Sequence, residues 1–383
     1  MAEQIPITPA VLSWARERAG FSSTDCSDKF KRFMEWESGD SAPTYAQLEQ
    51  LASMFKLPIA IFFFPAPPEV PHITETFRTL PKSEVEKLPS RIRLLLRKAK
   101  AMQLNLSELA QNRNPSNKLI TRDLPLSSSI SITELASTVR EFIGVSLEDQ
   151  KGWKDNQTAL KEWRSALYRV GIFVFKEAFK ENEFSGFCLF DDTFPVIYVN
   201  NSSTATRQMF TYFHELAHLL FHTSGVDTLH DDYISILNGE NRRIELFCNK
   251  FASEFLLPQK VFAELSSKYN ASEATAELLA AEFHVSREVI FRRFLDQGRI
   301  TEQTYNAATT KWNEQRVLGA GKGGDHYWTK LTYLGRDYVS LALSQFHQNR
   351  INEIQLADYL DTKPKNVGVL EEYFSKGGSD VRL

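Results

Sequence analysis

The chain has 383 residues, of which 24% are charged and 42% hydrophobic, and its formal net charge is -3. That length allows two or three separate cores, and the near balance of charge excludes a general electrostatic pull toward nucleic acid or an anionic membrane. Three scattered cysteines, Cys26, Cys188 and Cys248, form neither a disulfide framework nor a CxxC site and suit a reducing compartment.

The amino terminus, Met1-Ala2-Glu3-Gln4-Ile5-Pro6, has no basic start and no apolar run of signal-peptide type. The longest apolar stretch, Leu57 to Phe64, is interrupted by Pro58 and falls far short of the ~20 residues that cross a bilayer. A soluble, cytoplasmic protein without membrane contact is the expectation.

Residues 1–64 are expected to form a first helical unit. Thr8-Pro9 opens a helix through Val11, Leu12, Trp14 and Ala15, and a second runs from Pro43 through Leu48 and Leu51 to Phe55. With Trp36-Glu37-Ser38-Gly39 between them, this unit resembles a small helix-turn-helix bundle of the XRE type. The segment from Ala19-Gly20 to Trp36 is short for such a domain, and Arg16, Arg18, Lys29, Lys31, Arg32 and Lys56 are outnumbered by nearby acids. A DNA reader needs a basic face, so a scaffold or partner-docking bundle is preferred to DNA contact.

Pro65-Ala66-Pro67-Pro68-Glu69-Val70-Pro71 begins a stiff linker assigned to residues 65–85. A helical region follows at 86–165. Its first helix, within 84–112, carries Ile92, Leu95, Leu96 and Ala99 on one face, with Arg91, Arg93, Arg97, Lys98 and Lys100 around the rest. That stripe is read as a solvated face in preference to a nucleic-acid surface. Further helices are expected at Thr133–Ile143 and Thr158–Val170, with Trp153 and Trp163 packed between them.

Residues 166–260 carry the chemistry. Gly171–Phe175 reads as a strand, and Gly186–Phe190 with Pro195–Asn200 reads as a hairpin around Asp191-Asp192. Asn200 to Thr204 offers N-caps for a helix containing His214-Glu215-Leu216-Ala217-His218. On a helix, positions i and i+4 share a face, so His214 and His218 can converge on one ion with Glu215 beside them to take a proton. A peptidase site of this kind needs a third protein ligand. The metzincin spacing is closed, because Phe221 and Ser224 stand where glycine and histidine belong. His222 lies about 6 Å further along the axis and is read as structural or supporting. The next helix, Arg242 to Pro258, places Glu245, Cys248, Asn249 and Ala252 along one strip beside an apolar stripe of Ile244, Phe247, Phe251 and Phe255, while Glu254 points away. Glu245 is thus the preferred third ligand, Cys248 a packing residue, and Asn249 a residue that orients a ligand.

Ser185-Gly186-Phe187, Pro195–Asn200, the run from Arg207 to Leu220, Glu245-x-x-Cys248-Asn249-x-Phe251-Ala252 and Leu257-Pro258 together resemble the ImmA/IrrE family of metallopeptidases. The resemblance covers roughly residues 165–260. It implies a gluzincin-like site, with His214, His218 and Glu245 binding Zn2+ and Glu215 as catalytic base. It also implies a cytoplasmic protease that cuts helix-turn-helix repressors or antitoxins in a mobile element or stress response. For the oxyanion, His230, Tyr233 and Tyr198 stay open as donors. The alternative is a DNA-binding regulator whose peptidase-like domain senses without cutting, against which the intact Glu215 argues.

Residues 261–383 are expected to be helical, with helix-turn-helix pairs at 274–295 and 351–374. The glycine-rich stretch Gly319 to Gly324 lacks the Lys-Ser/Thr ending of a phosphate-binding loop. The expected fold class is α+β and mostly helical, a small mixed sheet packed on a zincin-type active-site helix and flanked by helical bundles.

Overall fold

The computed structural model describes residues 3–69, 88–124, 130–181, 183–224, 226–228, 239–318 and 325–376. It divides into two compact units, residues 1–101 with 179–181, and residues 102–178 with 182–383. Residues 70–85 of the linker, which include Phe77 to Pro81, lie outside the described residues.

In the first unit, helices Pro9–Ala19, Ser23–Lys29, Phe33–Ser38 and Tyr45–Phe55 precede a 3-10 turn at Ile59–Phe63. Ser22 with Asp25 and Thr44 with Gln47 form reciprocal capping boxes, which fix where the second and fourth helices begin. Leu12, Ala15, Phe33, Trp36, Leu48, Leu51, Phe55 and Phe62 fill the core. The cations near the presumed turn are committed locally. Arg16 lies 2.7 Å from Glu37, and Arg32 lies 2.6 Å from Glu35.

Helix Ser90–Leu109 buries Ile92, Leu95, Leu96 and Ala99 as their spacing demands. Its arginines are not a solvated stripe. Arg91 donates to the Phe179 carbonyl at 3.3 Å, Arg93 to that of Leu88 at 3.0 Å, and Arg97 to that of Phe55. Guanidinium groups spent on buried carbonyls leave little for phosphates.

The second unit is α+β and mostly helical, built around a four-stranded mixed sheet ordered β1-β3-β2-β4. Strands β1 (Phe173–Glu177) and β3 (Val196–Asn200) run parallel, whereas β2 (Phe184–Leu189) pairs antiparallel with β3 and with β4 (Val226–Thr228). Asp191 accepts from the backbone N–H groups of Thr193 and Phe194 at 2.9 and 2.8 Å, closing the hairpin. β1 starts two residues later than its hydrophobic run, because Gly171 (φ +88°) is still turning the chain out of the preceding helix.

Register gives the sheet two chemically different faces. Val174, Ile197 and Cys188 form one row, and Lys176, Val199 and Gly186 the next row on that side, facing the helix Ala205–Leu220. Phe175, Tyr198 and Phe187 line the other side and pack with Tyr338 of the helix Arg336–His347. Helices Ile132–Ile143, Asn156–Arg169 and Gly239–Leu256 complete the core on the first side. Trp153 and Trp163 meet edge to face at 5.0 Å. Buried Gln150 ties this side together by donating to the carbonyls of Leu256 at 2.9 Å and Phe283 at 2.6 Å. Among the described residues, no helix is long and apolar enough to cross a membrane.

Candidate active site

Helix Ala205–Leu220, called here the motif helix, begins where the Thr204 hydroxyl accepts from the Arg207 N–H. It is anchored to the sheet from its first turn, where Arg207 donates to the Ser185 hydroxyl at 3.0 Å. One turn on, Thr211 sits directly over Gly186. A Cβ at Gly186 would stand 2.4 Å from Thr211 Cγ2 and 2.8 Å from the Tyr198 carbonyl oxygen. The absence of a side chain is what lets helix and strand come this close.

From this seat the motif helix turns His214 and His218 toward the helix Gly239–Leu256, the ligand helix. Phe213 stacks on Phe255 at 4.0 Å and meets Trp163 edge to face at 4.8 Å, which sets the spacing of the two helices. In the ligand helix, Cys248, Phe251, Ala252, Phe255 and Leu256 are fully or almost fully buried. Ile244 and Phe247 are only half-buried, so the apolar stripe expected there lies about one residue round from its predicted position. Phe247 instead meets Phe221 edge to face at 5.1 Å.

Donor atoms of three residues converge between the two helices. The Nε2 atoms of His214 and His218 are 3.2 Å apart, Glu245 Oε2 is 3.3 Å from His214 Nε2, and Glu245 Oε1 is 3.2 Å from His218 Nε2. All three residues are buried, as is Glu215. Asn249, one turn beyond Glu245, places Oδ1 2.9 Å from His214 Nδ1. An amide oxygen only accepts, so Nδ1 carries the hydrogen and Nε2 presents its lone pair to the triangle. Such a cluster of two imidazoles and a carboxylate suits a divalent cation.

The electrostatics follow from burial and proximity. Burial opposes the charge of Glu245, but His218 and His214 outweigh it and hold the carboxyl well below its usual range. Burial likewise opposes a charged His218, yet the Cys248 thiol and Glu245 hold that imidazole well above its ordinary value. Cys248 sits against His218 but stays outside the donor group, in keeping with packing. Burial pushes its thiol up.

The other expected residues are placed elsewhere. His222 is held at the helix end in a left-handed conformation (φ +56°), with Nε2 2.9 Å from the Thr121 carbonyl and its ring stacked on Phe190 at 4.6 Å. Tyr198 is on the far face of the sheet, parallel to Phe187 at 5.2 Å, so it is not brought to the donor triangle as an oxyanion donor. It stands between Ile197 and Val199, whose side chains face the motif helix, and side chains alternate along a strand. His230 and Tyr233 lie outside the described residues. Glu254 accepts from the Gln259 N–H and faces Arg293 at 3.7 Å. His284 is 2.8 Å from Asn156 Oδ1 and 3.1 Å from the Trp153 carbonyl, remote from any metal chemistry.

Comparison with known proteins falls on this region. Over 99 residues the chain is 32% identical to the radiation response metalloprotease IrrE of Deinococcus radiodurans, a match that takes in 25% of this chain and 30% of that protein. The chain therefore spans under a third of the length of the curated relative it matches. Residues 168–295, which include all three donor residues, match the family model described as IrrE N-terminal-like domain.

Proposed function

We propose that the protein is a zinc-dependent endopeptidase in which His214, His218 and Glu245 hold the metal and Glu215 is the general base. The observation that carries this reading is the donor cluster, in which the two Nε2 atoms are 3.2 Å apart and each lies 3.2 to 3.3 Å from one oxygen of Glu245. Ligands at the ~2.0–2.1 Å of zinc–nitrogen and zinc–oxygen bonds in a tetrahedral site stand about 3.3 Å apart, so the residues fit that ion. When bound, zinc supplies Lewis-acid polarisation of a scissile carbonyl and makes water more acidic.

The chain's own groups supply the remainder. Asn249 fixes the His214 tautomer, and the buried pairing of both helices keeps the donors in place without substrate. Glu215, next in sequence to His214 and fully buried, takes the proton from the attacking water and passes it to the departing amine. A helix-turn-helix transcriptional repressor or antitoxin in the cytoplasm is the proposed substrate class, on the strength of the family resemblance.

Metal analysis and cleavage assays on the same preparations test the reading. Glu215→Gln is expected to keep one zinc per chain while cleavage of a co-expressed repressor drops ~10²–10⁴-fold or more. His214→Ala and Glu245→Ala are expected to lose the metal. Undiminished cleavage by Glu215→Gln, or full metal content in Glu245→Ala, overturns the assignment.

A further inference from the structure

A second polar cluster lies under the motif helix, away from the donor triangle. Lys176 projects from the edge strand β1 in the row that faces this helix, and it is only 6% exposed. Among the described residues it makes no hydrogen bond and no ion pair. Its ammonium stands 5.9 Å from the ring centre of Tyr212. The Tyr212 hydroxyl is itself fully buried and has no hydrogen-bond partner among the described residues.

The charged groups that act on Lys176 are Arg164 and Lys161, both cations, and with burial they push the ammonium well below its ordinary pKa. Arg164 is the common neighbour, because it also acts on the Tyr212 hydroxyl. Its guanidinium is held rigidly, donating to the carbonyls of Thr332 at 2.6 Å, Tyr333 at 3.2 Å and Val174. Asp337 acts on Arg164 and does not reach Lys176. Lys161, a turn of helix before Arg164, is exposed and marks the solvent side of the group. Buried charges are ordinarily paired, and buried hydroxyls are ordinarily bonded. Here the Tyr212 hydroxyl is left over, and the lysine at its ring has only cations acting on it.

We propose that Lys176, Arg164, Lys161 and the Tyr212 hydroxyl form a binding site for a small oxyanion of the phosphate class. An ammonium offers three donors and a phenol one, which a four-oxygen anion can accept together while it cancels the local positive charge. Tyr212 precedes His214 by two residues, so an occupied site braces the helix that carries two of the metal donors. The inference does not depend on the peptidase reading.

The test is thermal unfolding of the metal-loaded full chain in inorganic phosphate, against sodium chloride and sodium acetate at matched ionic strength. Phosphate is expected to raise Tm saturably, and the two controls are not. Lys176→Met is expected to abolish the rise and to be no less stable than the parent in chloride, since it removes a group whose neighbouring charges are both cations. Tyr212→Phe, which keeps the ring, is expected to weaken the rise. No rise in phosphate, an equal rise in acetate, or an undiminished rise in Lys176→Met overturns the proposal. If Lys176→Met does not fold, an undiminished rise in Tyr212→Phe does so instead.

Discussion

Asn249 illustrates how one side chain can govern a site it does not enter. Its carbonyl oxygen accepts from His214 Nδ1 and so orients a ring whose other nitrogen faces Glu245. Removal of such a partner typically costs about 10–100-fold in metal affinity. Asn249→Ala is therefore expected to weaken zinc binding by that order in a chelator competition, with the fold intact. Unchanged affinity would mean that helix packing alone sets the ring. His218 has no equivalent. Its Nδ1 makes no hydrogen bond among the described residues, and the neighbouring group is a thiol, a weak partner at best.

At this scale the sequence was informative wherever chemistry imposed spacing. His214 and His218 share a face because of the helix period, and Glu245 and Asn249 share one for the same reason. His222 obeys the same period, but the helix ends there. The left-handed turn sends its ring to Phe190, which no spacing in the chain announces. Tyr198 was misplaced as a donor candidate because residue type does not say which side of a sheet a strand presents. That depends on what covers each side.

Among elements, the seat of the motif helix on the sheet is the critical contact. Gly186 stands beneath Thr211 with no space for a methyl group, and one of the atoms in the way is backbone. Gly186→Ala is expected to destabilise the fold by at least ~1–3 kcal/mol, as overpacking does, and to lower metal affinity with it. Calorimetry and metal titration of the variant check both. A stable variant with full affinity would show that the helix can shift without disturbing its histidines. Long periodic helices and the apolar strands were legible in the chain, as was the Asp191 turn. The three-residue β4, the four-residue helix Ile120–Asp123 and the six-residue Leu147–Gly152 were not, because so few residues define no period. The arginines of Ser90–Leu109 looked solvated because carbonyl acceptors leave no mark in a sequence.

For the whole molecule, metal and protons compete for the same atoms. In the metal-free chain the Glu245 carboxyl is depressed, so its contribution to stability is present above the unfolded value near 4.5 and is lost as pH falls through the folded one. The His218 imidazole is raised, so its contribution is complete below the unfolded value near 6.5 and fades as pH climbs through the folded one. The ion pair thus supports the empty site best at mildly acidic pH. Binding a metal requires both imidazoles without their Nε2 protons, so that stabilisation grows as pH rises. The Tm difference between zinc-loaded and chelator-treated protein is expected to widen from about pH 6 to about pH 8. A gap that stays constant or narrows would contradict the assignment of these donors.

The cover on the far side of the sheet bears on how the protein can be cut down. Phe175 is packed by Tyr338, and Arg164 reaches from the helix Asn156–Arg169 to carbonyls at Thr332 and Tyr333. A fragment trimmed to residues 168–295 would discard the donor of that tether and its acceptors together. It would also leave the aromatic row of Phe175, Tyr198 and Phe187 facing water. Such a fragment is a poor vehicle for enzymology, however neatly its ends coincide with a recognisable family. The smallest sound piece keeps both the helix Asn156–Arg169 and the helix Arg336–His347 with the acceptors at Thr332 and Tyr333.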